Sequence, residues 1–199
     1  MKTKLKTIEL LEQNKNGLHL RELSRLLKTG MPNVTRYADI LEKEDVVIKQ
    51  REANLVKLRL KEHPRTIAYL KEINTERFLA LPKKIQTATT DFLNELEIKP
   101  LITIIFGSYA KGNYTLKSDI DILLIFQKVE DDKHIENTAK RIGMRTNIII
   151  SPVYLDYKTF ENNFLNKDHD FSKEIRQKVI VLSGTGLYYS LLWRFLHES

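Results

Sequence analysis

The sequence contains no cysteine, which excludes disulfide bonds and thiolate metal sites. It also lacks a long hydrophobic run. The longest uncharged stretch, residues 179–193, is too short to span a bilayer and is interrupted by two glycines. The basic start of the chain has no apolar segment behind it, so we expect no signal peptide. Together these absences predict a cytoplasmic protein without a membrane span.

The composition is that of a globular protein, and its positive charge is distributed unevenly along the chain. A chain of 199 residues is long enough for one large or two small domains. Its content of 42% hydrophobic and 30% charged residues is typical of globular proteins. The net charge is +7, and residues 1–62 alone hold 14 lysines and arginines against nine acids. This excess points to a polyanionic partner for the N-terminal part of the chain.

The most informative segment is residues 107–121, which separates two apolar runs that we read as buried strands. The first run ends in a turn formed by Gly107 and Ser108, and the second begins with Asp119 and Asp121. Alternate strand residues share a face, so the two carboxylates should lie about 6–7 Å apart along one face. Such a pair, beside a turn that exposes backbone N–H groups, can hold Mg²⁺ against a polyphosphate.

A Gly-Ser pair followed after ten residues by Asp-x-Asp resembles the signature of the DNA polymerase β superfamily of nucleotidyltransferases. In particular, the pattern resembles the minimal, antitoxin-like nucleotidyltransferases of bacteria and archaea. Lys111 and Ser118 also fit this pattern. The resemblance covers roughly residues 100–150, and more loosely the C-terminal part of the chain.

The resemblance implies a role for each motif residue. Gly107 would let the backbone approach a nucleoside triphosphate, ATP by preference, and Ser108 would donate a hydrogen bond to a phosphate oxygen. Asp119 and Asp121 would bind two Mg²⁺ ions. Lys111 is a phosphate contact by its charge, and the alternative is a solvated loop lysine.

Family members often carry a third carboxylate on a later strand, which completes the second metal site and helps to activate the acceptor. We read residues 146–150 as that strand and Asn147 as the matching position. A neutral amide offers Mg²⁺ an oxygen but cannot accept a proton. Asp156 and Asp168 lie downstream, outside any strand-like run. This departure counts against efficient catalysis more than against triphosphate binding.

Residues 1–62 are predicted to form three helices and a two-stranded hairpin, with strands at residues 46–51 and 55–60. Leu20, Leu23 and Leu27 share a face of the second helix, and Pro32 suits the first turn of the third. This order resembles the winged helix-turn-helix domain.

A domain of this kind would place the N-terminal half of its third helix in the major groove of duplex DNA. The outward residues there are Asn33, Thr35 and Arg36, while Lys49 and Arg51 on the wing would contact phosphates. The alternative is a solvated surface on a module used for dimerisation or protein docking, so a homodimer stays open.

The remaining chain is predicted to be a helical connector at residues 63–99, broken at Pro82, and a nucleotidyltransferase domain at residues 100–199. Beyond residue 152 we expect helices, including residues 171–182 and 187–196. The predicted fold class is therefore α+β or α/β. It comprises a winged helix-turn-helix domain, the connector, and a small mixed sheet with C-terminal helices.

Two functions compete. The first is a Mg²⁺-dependent nucleotidyltransferase that moves AMP from ATP to an acceptor. By resemblance, the acceptor is a tyrosine hydroxyl on a HEPN-type toxin. The second is a DNA-binding regulator whose nucleotidyltransferase fold only binds nucleotide, which the basic N-terminus and Asn147 favour. The two could combine in an antitoxin that represses its own operon. An RNA-tailing enzyme is disfavoured, because the sequence shows no aromatic stacking platform.

Overall fold

The computed structural model of the protein describes residues 2–115, 117–129 and 131–197, so Leu116 of the motif lies outside the described residues. The chain forms two compact units, Met1–Ile73 and Asn74–Ser199. The predicted domain boundaries after residues 62 and 99 stay predictions. No helix in the described part of the chain has both the length and the hydropathy of a membrane span.

The first unit contains the predicted helices and hairpin. Its elements are α1 (Lys2–Gln13), β1 (Leu18–His19), α2 (Leu20–Leu26), α3 (Met31–Lys43), β2 (Val47–Glu52) and β3 (Leu55–Leu60). The three strands form an antiparallel sheet in the order β1-β3-β2. The sequence analysis missed β1, because a strand of two residues is too short to show alternation.

Helix α3 illustrates how the sequence sets an element of this unit. Gly30 occupies its N-cap and Pro32 lies in its first turn, where a missing backbone N–H costs nothing. Val34, Ala38 and Leu41 recur at helical spacing and are all buried, so one face of the helix packs on the core of its unit.

Helix α4 (Pro64–Leu79) leads into the second unit. The later elements are α5 (Lys83–Glu95), β4 (Ile102–Ile105), α6 (Gly107–Lys111), β5 (Ile120–Phe126), α7 (Asp132–Thr146), β6 (Ile150–Asp156), α8 (Tyr157–Leu165), α9 (Asp170–Ile175), β7 (Ile180–Ser183) and α10 (Thr185–His197). The predicted break at Pro82 is confirmed, since it lies between α4 and α5.

The sheet of the second unit has the strand order β6-β5-β4-β7. Strands β5 and β6 are parallel, whereas β4 is antiparallel to both of its neighbours. Ile120, Ile122 and Leu124 of β5 belong to a buried cluster with residues of α5 and α7. Because successive strand residues alternate, Asp121 points to the opposite face of the sheet.

Two predicted elements of this unit are wrong. Residues 146–150 are not a strand, because α7 continues to Thr146 and β6 begins only at Ile150. Residues 171–182 are not one helix, because the β-branched run at their end forms β7 and pairs with β4. Both apolar runs are too short for their periodicity to separate helix from strand, and Ile149 of the first run is exposed rather than buried.

Candidate active site

The centre of the candidate site is the contact between Gly107 and Asp121. Strands β4 and β5 place Ile105 opposite Ile122, and the Phe106 N–H donates to the Asp121 carbonyl at 3.1 Å. Gly107 then opens α6 with a φ of +64°, and a Cβ at this position would overlap Oδ2 of Asp121. The glycine therefore leaves the space that the Asp121 carboxylate occupies.

Negative charge is concentrated around this carboxylate. Burial raises the pKa of Asp121, the charges of Asp119 and Glu174 raise it further, and Lys111 opposes them. Asp119, which immediately precedes β5, accepts a hydrogen bond from the Ser151 hydroxyl at 3.5 Å. A raised pKa means that the local environment disfavours the ionised form. A cation shared by the two aspartates would relieve that repulsion.

The described residues contain no group of three or more histidine, aspartate or glutamate side chains placed to hold a metal ion. The metal-binding potential of the site therefore lies in the pair of Asp119 and Asp121. Two carboxylates with few competing protein ligands suit Mg²⁺, which usually binds one or two carboxylates and completes its shell with waters and phosphate oxygens.

We define the Gly-Ser side of the site as the region of Gly107, Ser108, Asp121 and Lys111. Lys111 is the basic residue of this region. Its ammonium group is 2.5 Å from Glu174 of α9, and both side chains are partly exposed. To bind a phosphate, Lys111 has to exchange this carboxylate for the ligand.

The loop between α6 and β5 is held by Tyr109 and Ser118. The Tyr109 ring stacks on Tyr114 with centroids 4.6 Å apart, and the Tyr109 hydroxyl lies 3.4 Å from the Ser118 carbonyl. The Thr115 N–H donates to the Ser118 hydroxyl at 2.8 Å. Ser118 thus fixes the backbone just before Asp119.

Asn147 does not occupy the third-carboxylate position, so that prediction is wrong. It caps the C-terminus of α7 in the left-handed conformation, with a φ of 53°, which asparagine adopts more readily than most residues. The parallel register of β5 and β6 instead places Ser151 beside Asp121. Sequence reasoning missed Ser151 because Pro152 read as the end of a strand. An edge strand such as β6 tolerates proline.

The two downstream aspartates do not supply the missing group. The register puts Asp156 opposite Phe126, at the far end of β6 and roughly 17 Å along the strand from Ser151. Its carboxylate caps α8 by accepting from the Thr159 hydroxyl and N–H, which lowers the pKa of Asp156. Asp168 is exposed in the loop between α8 and α9.

A groove of about 970 Å³ opens on the other side of Asp119. None of Gly107, Ser108 and Lys111 lines it, so Asp119 lies between the Gly-Ser side and the groove. The groove is bounded by α5, the loop before β5, and the connection from α7 to β6. Its lining includes Lys84, Tyr114, Lys117, Asp119, Lys140, Met144, Asn147 and Ile149.

The candidate DNA-contacting residues of the first unit differ in their surroundings. Asn33, Thr35, Arg36 and Arg51 are exposed. Lys49 instead bonds two carboxylates of α3, Asp39 at 2.5 Å and Glu42 at 2.7 Å. Burial lowers the pKa of Lys49, but the hydrogen bonds to the two carboxylates outweigh this effect and raise the pKa overall. The role of Lys49 as a phosphate contact therefore requires these ion pairs to open.

The contact between Gly107 and Asp121 predicts different costs for two glycine substitutions. Gly107→Ala and Gly112→Ala both place alanine at a positive φ, which costs on the order of 1–2 kcal/mol. A Cβ at Gly112 meets no atom within 4 Å, whereas one at Gly107 displaces a carboxylate. We expect Gly107→Ala to lower the free energy of unfolding, measured in urea, by at least about 1 kcal/mol more than Gly112→Ala.

Combining Gly107→Ala with Asp121→Ala should remove that excess cost, because the clashing group is gone. Equal losses for the two glycine variants, or an excess that survives the loss of the Asp121 carboxylate, would contradict the proposed steric cause.

Comparison with known proteins shows what this part of the chain resembles. Residues 91–182 match the family model described as "Nucleotidyltransferase domain". A protein of Methanocaldococcus jannaschii named "Putative protein adenylyltransferase MJ0141" is 29% identical over 96 residues, which are 47% of this chain and 89% of that protein.

Two solved structures of toxin–antitoxin pairs also resemble the chain, one with AMP-PNP and one a mutant of the pair MntA–HpeT. Their TM-scores are 0.39 and 0.38 at 17% and 15% identity, and each covers 58% of this chain and 84% of its own. Overlays of this extent carry no argument about function. The match to the family model shows that residues 91–182 are similar to a nucleotidyltransferase domain.

Proposed function

We propose that the protein is a Mg²⁺-dependent nucleotidyltransferase that moves AMP from ATP to a hydroxyl group of an acceptor protein. The observation that carries the proposal is the pair of Asp119 and Asp121 beside the turn at Gly107 and Ser108, within the matched domain. The name of the Methanocaldococcus jannaschii relative supports a protein as the acceptor.

In the proposed reaction, the acceptor oxygen forms a bond to the α-phosphorus while the bond from that phosphorus to the bridging oxygen breaks. Pyrophosphate leaves with the electron pair, and the hydroxyl proton passes to water. Asp119 and Asp121 are the groups that would hold Mg²⁺, which neutralises phosphate charge and orients the reacting oxygens when bound. Lys111, once released from Glu174, would contact the leaving phosphates.

Metal binding through the aspartate pair predicts a linked stabilisation of the fold. Mg²⁺ with ATP should raise the melting temperature of the wild-type protein, because a ligand that binds only the folded state stabilises it. The double variant Asp119→Asn/Asp121→Asn should show no such rise. Asp156→Asn is a matched control, because asparagine still caps α8 while one carboxylate is lost. An equal rise in the double variant would overturn this site assignment.

The position of Ser151 predicts which substitution improves the reaction. Ser151→Asp would place a third carboxylate beside Asp121, where it can take the acceptor proton. We expect transfer of radiolabelled AMP, to the protein itself or to a partner encoded next to it, to rise by up to about 10²–10⁴-fold. Asn147→Asp, at the end of α7 and in the wall of the groove, should give no such rise.

A fast wild-type enzyme that neither substitution improves would show that another group supplies the base. Binding of ATP without transfer by any variant would favour the nucleotide-binding regulator instead.

A second function, DNA binding by the first unit, is favoured by its element order and by the exposed side chains of α3 and β2. We propose that this unit is a winged helix-turn-helix domain in which Asn33, Thr35 and Arg36 read base edges and Arg51 contacts phosphate. The combined role, an antitoxin that modifies a HEPN-type toxin and represses its own operon, rests on the family resemblance alone.

The surroundings of Arg36, Lys49 and Arg51 predict three outcomes in a mobility-shift assay. Arg36→Ala should weaken a preferred sequence more than random DNA, by about 1–3 kcal/mol. Arg51→Ala should weaken all sequences alike and reduce the salt slope by about 1. Lys49→Ala should change the slope less, because this lysine is already paired. No binding even at low salt would leave the docking-module alternative.

A further inference from the structure

The groove beside Asp119 has a basic rim. Lys84 projects from the start of α5, Lys117 from the loop before Asp119, and Lys140 from α7. Within the described part of the chain, Lys84 and Lys117 make no ion pair, and Lys140 has only a surface contact of 4.0 Å with a carboxylate one turn away. The neighbouring arginines of α7 are neutralised by acids of α5, Arg141 by Glu95 at 2.7 Å and Arg145 by Asp91 at 2.8 Å.

The groove also exposes large apolar side chains. Met144 is 86% exposed and Ile149 is 63% exposed, although both are on the wall of a concave surface. Tyr114, stacked on Tyr109, adds an aromatic ring that is 38% exposed. Apolar surface left uncovered and rimmed by charge is typical of a site that another molecule covers.

The position of the groove relates it to the direction of the reaction. In phosphoryl transfer the attacking and leaving oxygens lie roughly in line on opposite sides of the phosphorus. If the leaving phosphates lie on the Gly-Ser side, the acceptor has to approach from the other side of the aspartate pair. The groove lies there, because Asp119 is part of its wall and Gly107, Ser108 and Lys111 are not.

We propose that this groove is the acceptor site, and that it takes a segment of a partner protein in which the modified hydroxyl is flanked by acidic and apolar residues. The proposal rests on the proposed nucleotidyl transfer. The lysines of the rim complement the acidic residues, and Met144 and Ile149 pack against the apolar ones. Among the described residues, Asp119 is the one carboxylate in the lining, so an acidic segment meets little repulsion there.

The test uses the full-length protein with Mg²⁺ and a non-hydrolysable ATP analogue. The probe is a fluorescein-labelled peptide in which one tyrosine is flanked by glutamates and leucines, and its counterpart has every glutamate replaced by glutamine. Binding is followed by fluorescence anisotropy at physiological salt, which screens distant charges. We expect the acidic peptide to bind more tightly than its neutral counterpart.

Charge reversal separates the groove from general electrostatics. Lys84→Glu/Lys117→Glu should weaken binding of the acidic peptide by about tenfold or more, since two attractions become repulsions. Lys133→Glu/Lys158→Glu makes the same change of net charge at exposed positions outside the groove and should have little effect. Met144→Ser/Ile149→Ser should weaken both peptides alike, because it removes only apolar contact.

Binding of the ATP analogue is measured in parallel for every variant. If the analogue binds but Lys84→Glu/Lys117→Glu weakens binding of the acidic peptide no more than Lys133→Glu/Lys158→Glu does, the groove assignment is overturned and the proposed transferase stands. If the analogue does not bind to the wild type, the proposed function fails and this acceptor assignment with it. Tighter binding of single-stranded RNA than of the acidic peptide, lost in Lys84→Glu/Lys117→Glu, would overturn the protein class of the acceptor.

Discussion

The carboxylate of Asp121 occupies the space that a side chain at Gly107 would fill, and the rest of the site depends on this exclusion. Strand β4 has to end beside the start of β5 for the two residues to meet, which the antiparallel register ensures. The positive φ of Gly107 then turns the chain into α6, so that Ser108 and Lys111 lie on the same side as the carboxylate. Because residue 107 has no side chain, the strand pairing, the turn into α6 and the position of the Asp121 carboxylate are compatible with one another.

That arrangement leaves negative charge only partly balanced within the protein. Burial and acidic neighbours raise the pKa of Asp121, whereas the nearby cation Lys111 is paired with Glu174. Before a ligand binds, the lysine stabilises a contact with α9. When a triphosphate and a cation bind, both partners of that ion pair can find better-matched charges. Under the proposed function, ligand binding would offset part of the energetic cost of gathering these carboxylates.

The sequence predicted the elements that carry strong periodicity or a motif. The two strands around Gly107 and Asp121 are confirmed, as are the three helices and the hairpin of the first unit. The third-carboxylate position was misassigned for two reasons. Helix α7 continues to Thr146 and ends at Asn147, which adopts the left-handed conformation. Pro152 lies inside the edge strand β6 and does not end it. The pairing of Lys49 joins two different elements, β2 and α3, so the periodicity of neither element could indicate it.

Ser151 in place of a carboxylate changes where the rate of transfer has to come from. Under the proposed function, and with no carboxylate at residue 151, the acceptor hydroxyl would lose its proton to water, and general base catalysis would contribute little. Holding the hydroxyl in line with the α-phosphorus can still contribute a large part of the barrier reduction, provided that the acceptor is bound in one orientation. A site of this kind transfers slowly to water or to free small alcohols. Under the proposed function, it would become effective only for an acceptor that the groove beside Asp119 can orient, so that catalysis would depend on docking.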